Sequence, residues 1–195
     1  MKTIKEILSW VIPIVAGILI ALAIKQFVVT IAKVDGPSME PNLVNKERML
    51  VWRNSDIKRM SVIVFDAYGE DPSATTKNTD YVKRVIGVPG DTVASKNGNL
   101  YVNGKLVKQN FISEYERTQG TGNWDLKTLS KNWSKNVGVT KVPKGQYFVM
   151  GDHRSVSNDG RYWGFVPKDK IAGVVKVPFW ATDATKRHNV NKLAE

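Results

Sequence analysis

"TVASKNGNLYVNGKLVK", residues 92–108, alternates short strand-favouring runs with two Asn-Gly pairs. Asn and Gly tolerate the positive φ of a tight hairpin, so Asn103 and Gly104, between "LYV" and "KLV", predict a two-residue type I′ turn. The earlier pair lies inside "KNGN" and predicts a slightly longer turn. Together they predict a small antiparallel meander. Just upstream, "YVKRVIGV" (81–88) is a β-branched run closed by Pro89 and Gly90, which reads as another strand. Further strand signals are "RMLVWR" (48–53), "SVIVF" (61–65), "QYFVM" (146–150) and "IAGVVKVPFW" (171–180). "DPSATTKNTD" (71–80) is polar and turn-rich, an exposed loop. Residues 113–141 are polar, with Trp124, Leu129 and Trp133 loosely spaced, and fit either a short helix or a long loop. The polar tail after Trp180 is expected to fray. Nothing repeats, and the chain beyond residue 40 reads as mainly β.

The N-terminus differs. Residues 7–24, "ILSWVIPIVAGILIALAI", carry no charge and as a helix would span about 27 Å, the thickness of a bilayer core. Pro13 and Gly17 are tolerated in a membrane helix. Two readings fit. One is an anchor with Lys2 and Lys5 on the cytoplasmic side, which puts the remainder of the chain outside. The other is a cleavable secretory signal ending at "ALA" (21–23). The apolar character continues through "FVVTIA" (27–32), which favours the uncleaved anchor.

Among 195 residues there are no cysteines and two histidines, with a formal net charge of +11. The first excludes a disulfide framework and a thiol nucleophile, and with so few histidines no metal site is expected. The positive charge invites a nucleic-acid reading, but the basic residues are scattered and accompany no nucleic-acid-binding motif. An anionic lipid surface explains the charge as well.

"KVDGPSMEPNL" (33–43) holds Ser38 between Pro37 and Pro41 directly after the apolar stretch. The prolines predict a rigid extended loop, the fixity a nucleophile requires, although a plain structural turn has the same residues. Gly36 would let a substrate backbone approach closely. A serine hydroxyl needs a base. His153, beside Asp152, is one candidate. Lys83 is the better one, because strand alternation puts it on one face with Tyr81, Val85 and Gly87, opposite Val82, Arg84, Ile86 and Val88. Burial there would lower its pKa and leave a neutral amine, whereas a lysine snorkelling from a sheet edge would stay charged. In "GDHRSVSNDGRYWGFVP" (151–167), Asp152, Arg154, Asp159 and Arg161 alternate in sign around Ser157. They would cross-brace a site or form a solvated turn, and the apolar "YWGFVP" ties the loop to the core.

Three of these stretches, "PSMEPNL", "YVKRVIGVPGD" and "GDHRSVSNDGRYWG", with the N-terminal anchor, resemble the motifs of type I signal peptidases in order and spacing, most closely the Gram-positive branch. The family patterns are S-M-x-P-T, Y-x-K-R-x-x-G-x-P-G-D and G-D-N-R-x-x-S-x-D-S-R. The resemblance implies a membrane-anchored serine endopeptidase that removes signal peptides from secretory preproteins after a small residue (A-x-A type), with Ser38 as nucleophile and Lys83 as general base. It implies that Ser157 orients the lysine, that Asp159 and Arg161 form a supporting ion pair and that Asp152 and Arg154 brace it further. The Ser38 N–H would serve the oxyanion hole, with Gly36 where some members carry a serine donor. Met39, Leu43, Tyr81 and Val82 would line the pockets for small substrate residues. The implied fold is two antiparallel β-sheet regions after a single transmembrane helix: residues 1–32 as cytoplasmic N-terminus and anchor, 33–90 and 143–180 as the catalytic β domain, 91–142 as a smaller inserted β region, and 181–195 as a polar tail. The implied partners are signal peptides, the lipid bilayer and a nearby secretion translocon, with no cofactor and no nucleic acid. This chain departs from the patterns at Asn42, His153, Gly160 and "RMSVIVF" (59–65). A catalytically degenerate, anchored signal-peptide-binding protein is the competing reading.

Overall fold

The computed structural model describes residues 2–194. The side chains of Lys2 and Lys5, on which the expected orientation of the anchor rests, lie outside the described residues. Helix α1 (Lys2–Phe27) contains Pro13, and its stretch Glu6–Phe27 is long and apolar enough to cross a membrane, with none of it buried in the protein. The chain passes almost directly from it into β1 (Val29–Lys33), where the Arg53 N–H donates to Val28 O at 3.0 Å.

Beyond α1 the protein is two antiparallel sheets. The larger draws on β1, β2 (Arg48–Trp52), β3 (Val62–Asp66), β4 (Asp80–Gly87), β9 (Gln146–Met150), β10 (Phe165–Pro167) and β11 (Ile171–Lys176), in the order β1-β2-β11-β3-β4-β9-β10. The smaller holds β5 (Val93–Lys96), β6 (Asn99–Val102), β7 (Lys105–Val107) and β8 (Trp124–Asp125), in the order β7-β6-β5-β8. Strand β3 is apolar throughout because both its faces are covered: Val62 and Val64 pack with Val51 and Val175, while Ile63 and Phe65 pack with Val85 and Val149. A strand covered on both sides loses the usual alternation. A third cluster joins the sheets through Ile86, Phe148 and Phe165 from one and Leu100, Val102 and Trp124 from the other.

Both Asn-Gly pairs turn in two residues. Asn103 and Gly104 have φ of 52° and 73°, between the partners Val102 and Lys105. The longer turn expected at "KNGN" is corrected: Asn97 and Gly98, at 49° and 75°, close the pair Lys96 and Asn99 in the same way. Residues 113–141 contain α2 (Glu114–Thr118), capped by Ser113, and α3 (Leu126–Leu129), capped by Asp125. Their Trp124, Leu129 and Trp133 enter the shared core. Two loop expectations also change. The segment 71–80 sends Asp71 and Ala74 inward, and the tail forms α5 (Ala184–Asn191), capped by Asp183. Val190 anchors α5 in the core beside Val34 and Val177.

Candidate active site

Lys83 sits on β4, an interior strand paired with β3 and β9, opposite Ile63. Alternation holds around it: Tyr81 and Val85 pack on the cluster of one face and Val82 on that of the other. Only 4% of Lys83 is exposed, so it does not snorkel from an edge. Its Nζ donates to Ser38 Oγ at 2.9 Å and lies 5.1 Å from the centre of the Tyr81 ring. Burial brings the amine down from 10.5 to about 8; Asp159, Asp71 and Asp152 oppose the shift, and Arg161 assists it. A pKa there leaves a substantial neutral fraction near neutral pH.

Ser38 lies on a tight turn rather than the extended loop expected from its prolines. The Glu40 N–H donates to Pro37 O at 3.0 Å, and the Leu43 N–H to Met39 O at 3.0 Å. Gly36 precedes it with a φ of +85°, in the region that favours glycine, and its N–H donates to Asn45 Oδ1 at 3.2 Å. The loop after β9 presses on this turn, because the His153 N–H donates to Ser38 O at 3.1 Å. A Cβ on Gly151 would come within 2.5 Å of both Ser38 O and Ser157 Cβ, so only glycine fits. Ser157 Oγ is buried here without a hydrogen-bond partner among the described residues.

The alternating charges are buried, not solvated: Asp152, Arg154, Asp159 and Arg161 are each at most 4% exposed. Arg161 binds Asp159 through Nε at 2.8 Å and Nη2 at 3.0 Å. Burial alone would raise the Asp159 carboxyl, but Arg161 and the Gly151 N–H hold it below the usual carboxylate range. Arg154, lowered to about 10 by burial, donates to Gly151 O at 3.0 Å and to Gln109 Oε1 at 2.7 Å. Asp152 pairs with Arg84, a residue the sequence reading passed over. Arg84 donates from Nε to Oδ1 at 2.8 Å and from Nη2 to Oδ2 at 2.7 Å. Asn42 Nδ2 donates to the same carboxylate at 2.8 Å, which ties the Ser38 turn to β4. No local signal names the partners of Arg84, Asn42 or Gln109, because those partners are distant in the chain.

A cleft of about 390 Å³ opens beside Ser38 and Lys83, with Gly36, Met39, Tyr81, Val82 and Asn158 in its walls. Leu43 is not in those walls; it is fully buried in the core cluster that also holds Val51 and Val62. His153 does not reach Ser38 Oγ. Its Nδ1–H donates to Pro37 O at 3.2 Å, and the ring faces Glu40 at 4.0 Å and Glu116 at 3.8 Å. Among the described residues no three His, Asp or Glu side chains gather where they could hold a metal ion.

The family described as "Signal peptidase, peptidase S26" matches residues 7–180. Signal peptidase IB of Staphylococcus aureus (strain COL) is 40% identical over 196 residues, covering 96% of each chain. Signal peptidase I of Bacillus licheniformis is 35% identical over 180 residues, 90% of this chain and 89% of that one. The crystal structure of a signal peptidase I from Enterococcus faecalis V583 superposes with a TM-score of 0.50 at 31% identity, over 62% of this chain and 97% of that one. The motif resemblance, the two-sheet fold after an apolar helix and these matches agree: the chain belongs to the signal peptidase family, peptidase S26, and is an enzyme of the serine-protease class.

Proposed function

We propose that this protein removes signal peptides from exported preproteins after a small residue, using Ser38 as nucleophile and Lys83 as general base. The observation that supports this reading most is the 2.9 Å hydrogen bond between a buried lysine amine and a serine hydroxyl at the edge of a cleft. With a pKa of about 8, roughly a tenth of Lys83 is neutral at pH 7. The neutral amine accepts the Ser38 proton as Oγ attacks the substrate carbonyl carbon. The Ser38 N–H, without an acceptor among the described residues, donates to the tetrahedral oxyanion. The Lys83 ammonium then protonates the leaving amine, giving an acyl-enzyme on Ser38. Lys83 next takes a proton from water as it attacks the acyl carbonyl, and returns that proton to Ser38 Oγ as the ester bond breaks. The walls of Met39, Tyr81 and Val82 favour small side chains on the acyl side of the cut bond.

In the same reading α1 is an uncleaved anchor with its N-terminus cytoplasmic, and the β domain lies outside. Phe27, Ile31, Phe179 and Trp180 are all more than 60% exposed and form the surface we place against the lipid interface, where aromatic residues are favoured. Anchoring enzyme and membrane-inserted substrate in one plane raises their effective concentration. The test is cleavage of a preprotein with an Ala-x-Ala site by the full chain in lipid vesicles. Wild type cuts after the second alanine, and Ser38→Ala and Lys83→Ala do not. Cleavage that survives either substitution refutes the assignment, and binding without cleavage by wild type favours the degenerate binding protein.

A further inference from the structure

Asp71 is 2% exposed and lies in a segment whose composition promises a solvated loop. Among the described residues its carboxylate binds no cation directly. Oδ1 accepts from the Ser73 N–H at 2.9 Å, and Oδ2 accepts from Tyr81 Oη at 2.9 Å and Asn158 Nδ2 at 2.6 Å. Isolated buried carboxylates are costly, so three neutral donors alone call for a charge nearby. The nearby cation is Lys83, whose Nζ lies over the Tyr81 ring that Asp71 holds. Both Tyr81 and Asn158 line the cleft.

We propose that Asp71 is a positioning residue of this active site: it fixes Tyr81 and Asn158 as one wall of the cleft and stands as a buried counter-charge to Lys83. The inference rests on Lys83 being the base. Asn158 is on the loop that carries Ser157 and Asp159, and Tyr81 is two residues before Lys83 on β4. A single carboxylate from a third segment therefore joins the two elements that frame the nucleophile. The Tyr81 hydroxyl reports the same anion: burial, then the hydrogen bond and charge of Asp71, push it up to about 12. The charged groups acting on Lys83 are Asp159, Arg161 and Asp152 from the loop after β9, and Asp71 from the segment before β4. Removing Asp71 leaves the ammonium with less compensation.

The experiment is the pH dependence of kcat/KM for full-length Asp71→Asn, Tyr81→Phe and Asn158→Ala on an Ala-x-Ala preprotein in detergent micelles, with Lys83→Ala alongside. Asp71→Asn should move the acid limb down by roughly 1 to 2 pH units, the scale of one charge removed at about 6–12 Å in a medium of effective dielectric about 20. Tyr81→Phe and Asn158→Ala keep the charge, so they should raise KM and leave the limb in place. A limb unmoved in Asp71→Asn, or moved equally in all three, overturns the proposal while Lys83→Ala remains inactive. Activity in Lys83→Ala would instead refute the base assignment beneath it. If Asp71→Asn does not fold, Asp71→Glu, with the charge retained, should keep the wild-type limb, and a downward shift overturns the proposal.

Discussion

Replacing Arg84 by Met tests the buried scaffold around the dyad. Arg84 is fully buried, stacks 4.3 Å from the centre of the Phe111 ring and is bidentate to Asp152. Its Nη1 also donates to Met60 O at 3.0 Å and to Asn189 O at 2.9 Å. Methionine is apolar and unbranched, so the volume change is modest, but among the described residues the Asp152 carboxylate keeps only Asn42 Nδ2 as a side-chain donor. Breaking a buried pair by removing one partner costs about 3–5 kcal/mol. Two carbonyls that lose a donor add about 1 kcal/mol each where water cannot reach them. The expected loss is therefore about 5–7 kcal/mol, a third or more of the stability of a typical domain. Urea unfolding of the full chain in micelles, followed by tryptophan fluorescence, measures it. The double variant Arg84→Met/Asp152→Asn removes the stranded charge but keeps an acceptor for Asn42, so it should be more stable than Arg84→Met alone. The difference should persist at high salt, since the pair is shielded from solvent ions. A loss below about 1 kcal/mol, or a double variant no better than the single, would refute this reasoning.

Two further substitutions separate the roles of the loop after β9. His153→Ala should cost less than about tenfold in kcat/KM and leave the acid limb in place, because the ring gives up one hydrogen bond to Pro37 O worth about 1 kcal/mol; a limb displaced by the substitution would make His153 a titrating participant. Gly151→Ala should lower kcat by two orders of magnitude or more, since the added methyl drives Ser38 O and Ser157 apart and displaced nucleophiles lose about that much. Wild-type kcat in Gly151→Ala would show that the loop does not position the serine.

The parts of this protein that were legible in its sequence are those set by local chemistry. Asn103 and Gly104 announce their turn because positive φ at both positions is a local demand. The turn at Asn97 and Gly98 reads as longer than it is because its closing pair, Lys96 and Asn99, is polar and does not look like strand. Alternation placed Lys83 correctly between Tyr81 and Val85. It could not show that β4 is covered on both faces, which is why Arg84, on the supposed other side, was given no task. The tasks of Asp71 and Asn42 are hidden for a related reason: a polar residue in a turn-rich stretch looks solvated until a distant segment closes over it. Helix α5 escaped notice because Val190 is its one fully buried side chain, too little for a helical period. The run of alternating charges does not name the partners of Arg154 and Asp152, because these, Gln109 and Arg84, come from distant parts of the chain.

The central claim is that a neutral, buried Lys83 activates Ser38, and the pH–rate profile of preprotein cleavage tests it most directly. Lys83 is lowered from 10.5 to about 8, so its neutral fraction grows as pH rises through that value. The account predicts that kcat/KM rises with an apparent pKa near 8 in wild type and in His153→Ala, and that Ser38→Ala and Lys83→Ala have no measurable activity at any pH. An acid limb near the ordinary histidine value of about 6.5, lost in His153→Ala, or cleavage retained without Lys83, would contradict it.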